Sequence, residues 1–305
     1  MNRALSASIV IACYTEERWA LLRAAVESAL TQSGPAAEVI VVVDHNENLL
    51  RRVAEQWPTV TALPNEFGRG ASGARNTGAF RATTPIIAFL DDDAAAEPSW
   101  LQTLLAPFED PSVIGVGGGV SPDWQRRRPA WFPDEFGWVV GVSYRGLPED
   151  VGEVRNVWAE NMAVRADRFR QVDGFRLNFG KVGTRSSPED TDLCIRMAAL
   201  GGRWLYVPKA LVAHHVPVER STFAFFVRRS FSEGQGKAAL RDFRPGEPLE
   251  SERAYTRHVL PAAVGRGIRD AFRDRRPSRA LQSGAILVGL SSAGAGYLRQ
   301  RLSRS

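Results

Sequence analysis

Four short apolar runs, separated by segments with helical spacing, dominate the first third of this chain. Ser8–Ala12, Val39–Val43, Thr59–Leu63 and Pro85–Leu90 are the runs. A run of this length without polar alternation is the pattern of a strand buried on both faces. Between the first two, Glu17–Leu30 carries Trp19, Leu22, Val26, Ala29 and Leu30 on one helical face, with Thr15 placed to cap it and Glu16 and Glu17 in its first turn. Leu49–Gln56, Gly70–Ala82 and Pro98–Phe108 read as further helices. Strand–helix alternation implies an α/β fold: one mostly parallel, Rossmann-like sheet flanked by helices. Such sheets bind ligands beyond the carboxyl ends of their strands. Asp44 and Asp91 each follow a separate apolar run, so both lie on that edge.

Beyond residue 120 the pattern changes. Ser121–Pro148 has loop character, rich in Pro, Trp and Arg. Val154–Val164, a helix at Asp167–Gln171 and a turn at Asp173-Gly174 follow. A Gly/Ser loop over 180–188 then leads to a helix at Glu189–Leu200. Leu205–Val207 and Leu211–Ala213 are short apolar stretches, and residues 221–305 read as a helical, arginine-rich appendage. A length of 305 residues suits one large α/β domain with an appendage, or two small domains sharing a core.

Composition excludes several classes. With 44% hydrophobic and 24% charged residues, the chain is not mainly disordered. The net charge of +5 favours an anionic partner, or reflects the arginine-rich usage of GC-rich genomes. No nucleic-acid recognition motif accompanies it. Cys13 and Cys194 fit neither a disulfide framework nor a zinc site, and Met1 to Ser8 lacks a signal-peptide pattern, so a cytoplasmic compartment is expected. No apolar run is long enough to span a membrane. Ala285–Leu298, followed by Arg299, Arg301 and Arg304, either packs on the domain or rests peripherally on the inner face of a membrane. A nucleophilic triad is unsupported: there is no G-x-S-x-G elbow, and neither cysteine has a histidine nearby.

Five constellations are suited to chemistry. Asp91-Asp92-Asp93 leaves a buried strand, where three like charges repel unless a cation offsets them, and Asp91 and Asp93 are spaced to share a hard ion such as Mg²⁺ or Mn²⁺; the alternative is an acidic loop before the next helix. Asp44 is either an acceptor for a base or ribose, or a solvated turn residue. Gly68-Arg69-Gly70 and Gly73-Ala74-Arg75-Asn76 open a helix closely enough for phosphate, with Arg75 on a diphosphate or a buried carboxylate; tight helix packing is the alternative. Glu189, Asp190 and Asp192 either cap a helix or supply a general base. One of His214 and His215 either completes a metal site or is structural. Trp124, Trp131, Trp138 and Trp158 suit sugar stacking and core packing equally.

In this order the motifs resemble family-2 glycosyltransferases of the GT-A fold: Ser8–Ala12 with Thr15-Glu16-Glu17, Val41-Val42-Val43-Asp44, Gly73-Ala74-Arg75-Asn76, Phe89-Leu90-Asp91-Asp92-Asp93, Glu160-Asn161-Met162, Val172-Asp173-Gly174-Phe175, Glu189-Asp190-Thr191-Asp192 and His214-His215. The resemblance covers about residues 6 to 235. It implies a nucleotide-sugar-binding half at 1–120, an acceptor-binding and catalytic half at 121–220, and an inverting, metal-dependent transfer from a nucleotide-sugar, a UDP-sugar favoured, to a hydroxyl acceptor: a lipid-linked glycan, a saccharide or a secondary metabolite. Asp44 would contact the nucleotide base, Thr15 and Glu17 would line its pocket, Arg75 and Asp92 would also bind the donor, and Asp91 and Asp93 would hold the diphosphate with its metal. Asp91, Asp93 and one of His214 and His215 would hold metal. Asp190 would be the base, with Glu189 its fallback. Cys13-Tyr14-Thr15 departs from the family's Pro-x-x-Asn, and Asp44-His45-Asn46 from its Asp-Gly-Ser. No Q-x-x-R-W motif stands at the expected place, which argues for one sugar per encounter. A sugar nucleotidyltransferase would need a Gly-rich loop with Arg and Lys after the first strand, which Cys13-Tyr14-Thr15-Glu16 does not provide. A non-catalytic nucleotide- or sugar-binding module is disfavoured by the retained Asp190 and histidine pair.

Overall fold

The structure is a computed structural model that describes residues 5–34, 36–177, 181–182, 185–186, 189–243, 255–273 and 275–303. Of the predicted Gly/Ser loop, Gly180, Gly183, Thr184, Ser187 and Pro188 lie outside the described residues, as does Arg304. The chain divides into two compact units. The first comprises Met1–Ser121, Pro148–Thr184 and Pro188–His214; the second comprises Pro122–Leu147, Arg185–Ser187 and His215–Ser305.

The first unit is built on a mixed sheet. Its strands are β1 (Ala7–Cys13), β2 (Glu38–Val43), β3 (Thr61–Pro64), β4 (Ile86–Asp91), β5 (Ala94–Ala96), β6 (Val113–Trp124), β7 (Gly152–Val154), β8 (Asn161–Arg165) and β9 (Arg203–Val216). The order is β3-β2-β1-β4-β8-β6-β9-β5, with β7 also on β9. β3, β2, β1 and β4 run parallel, as the strand–helix alternation requires. Beyond β4 the pairings of β8, β6, β5 and β7 are antiparallel. Helices α1 (Trp19–Leu30), α2 (Glu47–Gln56) and α3 (Ala71–Arg81) link the parallel strands, and α4 (Trp100–Leu105), α5 (Ala166–Gln171) and α6 (Glu189–Ala198) follow. Thr15 caps the entry turn ahead of α1, and Asn46 caps α2.

Two strands differ from the sequence reading, and side-chain size explains the first. β6 opens Val-Ile-Gly-Val-Gly-Gly-Gly-Val, a composition that argues against a strand. Here the bare backbone is needed: a Cβ on Gly115 would enter the Trp204 ring, and one on Gly118 would strike the Ala210 carbonyl and the Asn161 amide. Asn161 is buried and clamps this layer, donating to the carbonyls of Gly119 (2.8 Å) and Ala210 (2.9 Å) and accepting from the Trp100 indole (2.7 Å). β9 fuses the two short apolar stretches into one strand of 14 residues that runs through Pro208.

The second unit contains α7 (Phe223–Phe243), α8 (Leu260–Arg273) and α9 (Pro277–Leu302). Trp131 meets Phe223 and Phe226 at 5.0 and 5.4 Å between ring centroids, Trp124 meets Phe132 at 5.5 Å, and Trp138 meets Phe136 at 5.3 Å. Three of the four tryptophans considered for sugar stacking therefore pack in this unit's aromatic cluster. Helices α7 and α9 touch backbone to backbone. A Cβ on Gly234 would strike the Ala293 carbonyl, and one on Gly296 the Phe231 carbonyl. Gly296→Ala is therefore expected to cost about 1–3 kcal/mol by overpacking, read as a lower urea midpoint; an unchanged midpoint would show that the helices part without cost.

Candidate functional site

The carboxyl ends of the parallel strands form one edge. Ala12 is registered with both Val42 and Asp91, and the Asp44 amide donates to the Cys13 carbonyl at 2.7 Å. Asp44 and Asp91 therefore share the edge, as the strand pattern predicts. A cleft of 450 Å³ opens there, lined by Tyr14, Asp44, His45, Asn46, Asn48 and Arg69, among others. Asp44 is held rigidly in it. Oδ1 accepts from Asn65 Nδ2 (2.6 Å) and His45 Nδ1 (2.7 Å), and Oδ2 from the Gly70 amide (2.9 Å). Burial opposes its ionisation, but these donors together hold the carboxyl below its usual range. Thr15 and Glu17 do not line this cleft; the Thr15 hydroxyl accepts from the Glu17 amide.

The aspartate run divides among separate partners. Asp91 ends β4 and pairs with Arg75 at 2.6 Å. Asp92 and Asp93 both bind Arg18 Nη1, at 3.1 and 3.0 Å. Asp93 also faces His214, whose Nε2 lies 3.4 Å from Oδ1; Glu160 Oε2 is 4.0 Å from the same nitrogen. Strand pairing makes this contact, because β5 follows Asp93 directly and pairs Ala94 with His214. Burial first, and then the Asp93 charge, push Asp92 up to about 7. Asp91 and Asp93, spaced to share an ion, have separate partners here. The turn after β4 breaks the strand alternation, sending Asp91 to Arg75 and Asp93 to His214. His215, one residue on along β9, alternates to the other face, where its Nδ1 is 3.5 Å from Asp123 Oδ2.

Arg75 is the centre of a second charge cluster. It projects from α3 and is buried. Its guanidinium meets Asp91 and lies 3.8 Å from Glu189 Oε1 at the start of α6. Small residues account for the rest of α3: a Cβ on Gly78 would run into Val10, so this part of the glycine-rich helix serves close packing on β1. Asp190 is half-buried, yet its Oδ1 is sealed from solvent and has no hydrogen-bond partner. Burial raises its pKa well above the usual carboxylate range, the Glu189 charge adds to this, and Arg75 and the Ala159 amide pull the other way.

The third acid of α6 has a different task. Asp192 is buried and binds Arg196 (2.7 Å) and Arg176 (3.0 Å). Arg196 also donates to the carbonyls of Val172 and Gly174. Asn76 pairs with the Phe175 backbone in both directions, at 2.7 and 2.8 Å. These bonds tie the Asp173-Gly174 turn to α3 and α6, and so fix Arg75 and Asp190 relative to each other. Arg18 and Asp192 are the residues whose roles sequence reasoning missed. Arg18 stands only as a charge in a helical first turn, and nothing in its spacing points to the aspartates 74 and 75 positions away.

Among the described residues, no three or more His, Cys, Asp and Glu side chains converge on a metal position. The pair of Asp93 and His214 is nevertheless a suitable donor set for a hard divalent cation whose remaining ligands are phosphate oxygens and water. The thiols of Cys13 and Cys194 are buried and pushed up by that burial, so neither is an activated nucleophile.

Residues 8–172 match the family model described as glycosyl transferase family 2. The chain is 33% identical over 300 residues to the glucosyl-dolichyl phosphate glucuronosyltransferase of Haloferax volcanii, covering 96% of each chain. Among solved structures it resembles the mannosyltransferase PcManGT from Pyrobaculum calidifontis in complex with GDP-Man and Mn²⁺, with a TM-score of 0.61 at 18% identity over 96% of this chain and 88% of that one. It also resembles GalNAc-T7 with UDP, GalNAc and Mn²⁺, with a TM-score of 0.57 at 18% identity over 85% of this chain and 55% of that one. These two likenesses establish the GT-A fold.

Proposed function

This chain belongs to glycosyltransferase family 2 and is a glycosyltransferase, and from that premise we propose that it moves one sugar per encounter from a UDP-sugar to a hydroxyl of a lipid-linked acceptor, with inversion at the sugar carbon and a divalent cation on the diphosphate. The observation that carries this reading is the separation of partners: Asp93 with His214 and Asp91 with Arg75 at the sheet edge, and Asp190, on α6, with a buried, unbonded Oδ1. Asp44 and its cleft take the nucleoside. Asp93 and His214 would hold Mg²⁺ or Mn²⁺, which when bound supplies positive charge to the departing diphosphate. Arg75, anchored by Asp91, keeps positive charge beside Asp190. Asp190 takes the acceptor's proton as that oxygen attacks the sugar carbon opposite the diphosphate. One bond forms as the other breaks, and a single displacement inverts the centre. The name of the Haloferax relative supports a lipid-linked acceptor, and the two Mn²⁺ complexes support a divalent cation.

A thermal-shift panel of UDP-, GDP- and dTDP-sugars, with and without Mn²⁺, tests this. A UDP-sugar with Mn²⁺ is expected to raise the melting temperature. Saturation at 100 times Kd stabilises by about 2.7 kcal/mol. Stabilisation without product release across the panel and a range of acceptors would favour the non-catalytic reading instead.

A further inference from the structure

Helix α9 has two unlike sides. Ala285, Ile286, Gly289 and Gly296 are buried within the second unit. The opposite side exposes Leu281 (57%), Leu287 (53%) and Leu298 (61%), separated by small residues such as Gly284 and Gly294. From Ala280 to Leu298 the helix has no charged residue, a stretch of about 28 Å. Arginines bound it at both ends: Arg275, Arg276 and Arg279 before, Arg299 and Arg301 after. Helix α8 repeats the pattern on a smaller scale, with Ile268 and Phe272 exposed beside Arg269 and Arg273. A helix face turned to water ordinarily carries charge, and an uncharged one this long marks an interaction surface.

We propose that this face of α9 lies along an anionic phospholipid surface, with its leucines at the headgroup–acyl boundary and the arginines on lipid phosphates. No described helix is long and apolar enough to cross a membrane, and the contact proposed is along the surface. A second copy of the chain is the rival occupant. Laid against α9 in either direction, it sets the arginine-rich ends of one helix against those of the other, a like-charge contact that disfavours pairing. A lipid surface meets the same arginines with phosphate. The inference extends the lipid-linked acceptor reading but is measured without donor, acceptor or turnover, so either fails without the other.

The test is co-sedimentation of the full chain with phosphatidylcholine vesicles, with and without phosphatidylglycerol. The protein is expected to bind the anionic vesicles and to be released at high salt. The double variant Leu287→Glu/Leu298→Glu, altered at exposed positions, is expected to keep its circular dichroism and lose at least about tenfold in vesicle affinity. Equal binding by the variant, or no preference for anionic vesicles, overturns the proposal. So does a wild-type dimer in sedimentation velocity that the double variant dissociates while vesicles bind neither.

Discussion

Asp190→Asn is expected to lower kcat by about 10²–10⁴-fold, with nucleotide-sugar binding retained. Asn fills the same space but cannot take a proton from the acceptor. The variant also removes a buried charge that the fold holds at a cost. Because burial and Glu189 raise the carboxyl above its unfolded value, its favourable contribution to stability is complete below the unfolded pKa and is lost as pH rises through the folded one. Asp190→Asn should therefore melt no lower than the wild type at neutral pH. The same electrostatics set the acid limb of the pH–rate profile. Asp190 becomes ionised, and so competent, only as pH rises above the ordinary carboxylate range. Glu189→Gln removes a negative neighbour and should move the limb to lower pH. Arg75→Gln removes the positive one and should move it higher, at some cost in stability because Asp91 loses its partner. A limb that both variants leave in place would assign the proton transfer to another group. Near wild-type turnover by Asp190→Asn would remove it from the chemistry altogether.

The part of this site legible in sequence is the part that strand ends determine. Asp44 and Asp91 follow uninterrupted apolar runs, and parallel topology alone brings them to one edge. Arg75 is legible as a residue with two uses, and the structure selects the carboxylate pairing. What sequence could not resolve depends on turns and antiparallel pairings. The partition of Asp91, Asp92 and Asp93 is set by the two-residue turn between β4 and β5, and local spacing says nothing about which of three adjacent carboxylates meets which arginine. The choice of His214 over His215 depends on the register of β9 against β5, where a slip of one residue would exchange them. β6 was hidden because its glycines are chosen for Trp204, Asn161 and Ala210, which approach from distant parts of the chain. Asp192 looked like a third candidate base, and only its two arginine partners give it a structural role.

Asp93→Ala is expected to lower Mn²⁺-supported transfer by about 10²-fold or more, the scale of several kcal/mol of charge stabilisation on the leaving group. The fold should tolerate the change. Arg18 keeps Asp92, whose pKa should fall toward the ordinary range once the neighbouring Asp93 charge is gone. The readout that separates a metal role from a packing role is Mn²⁺ affinity, measured by calorimetry on the protein saturated with UDP. Asp93→Ala and His214→Ala should both weaken it, while His215→Ala should not, because β9 turns that ring to Asp123. Asp91→Asn should lower activity through the freed Arg75 and leave Mn²⁺ affinity nearly intact, because its carboxylate is committed to the guanidinium. Full activity of the wild type in excess chelator would sink the metal reading. If Asp91→Asn weakened Mn²⁺ as much as Asp93→Ala, the two carboxylates would share the ion after all, and Arg75 would have to release Asp91 when the donor binds.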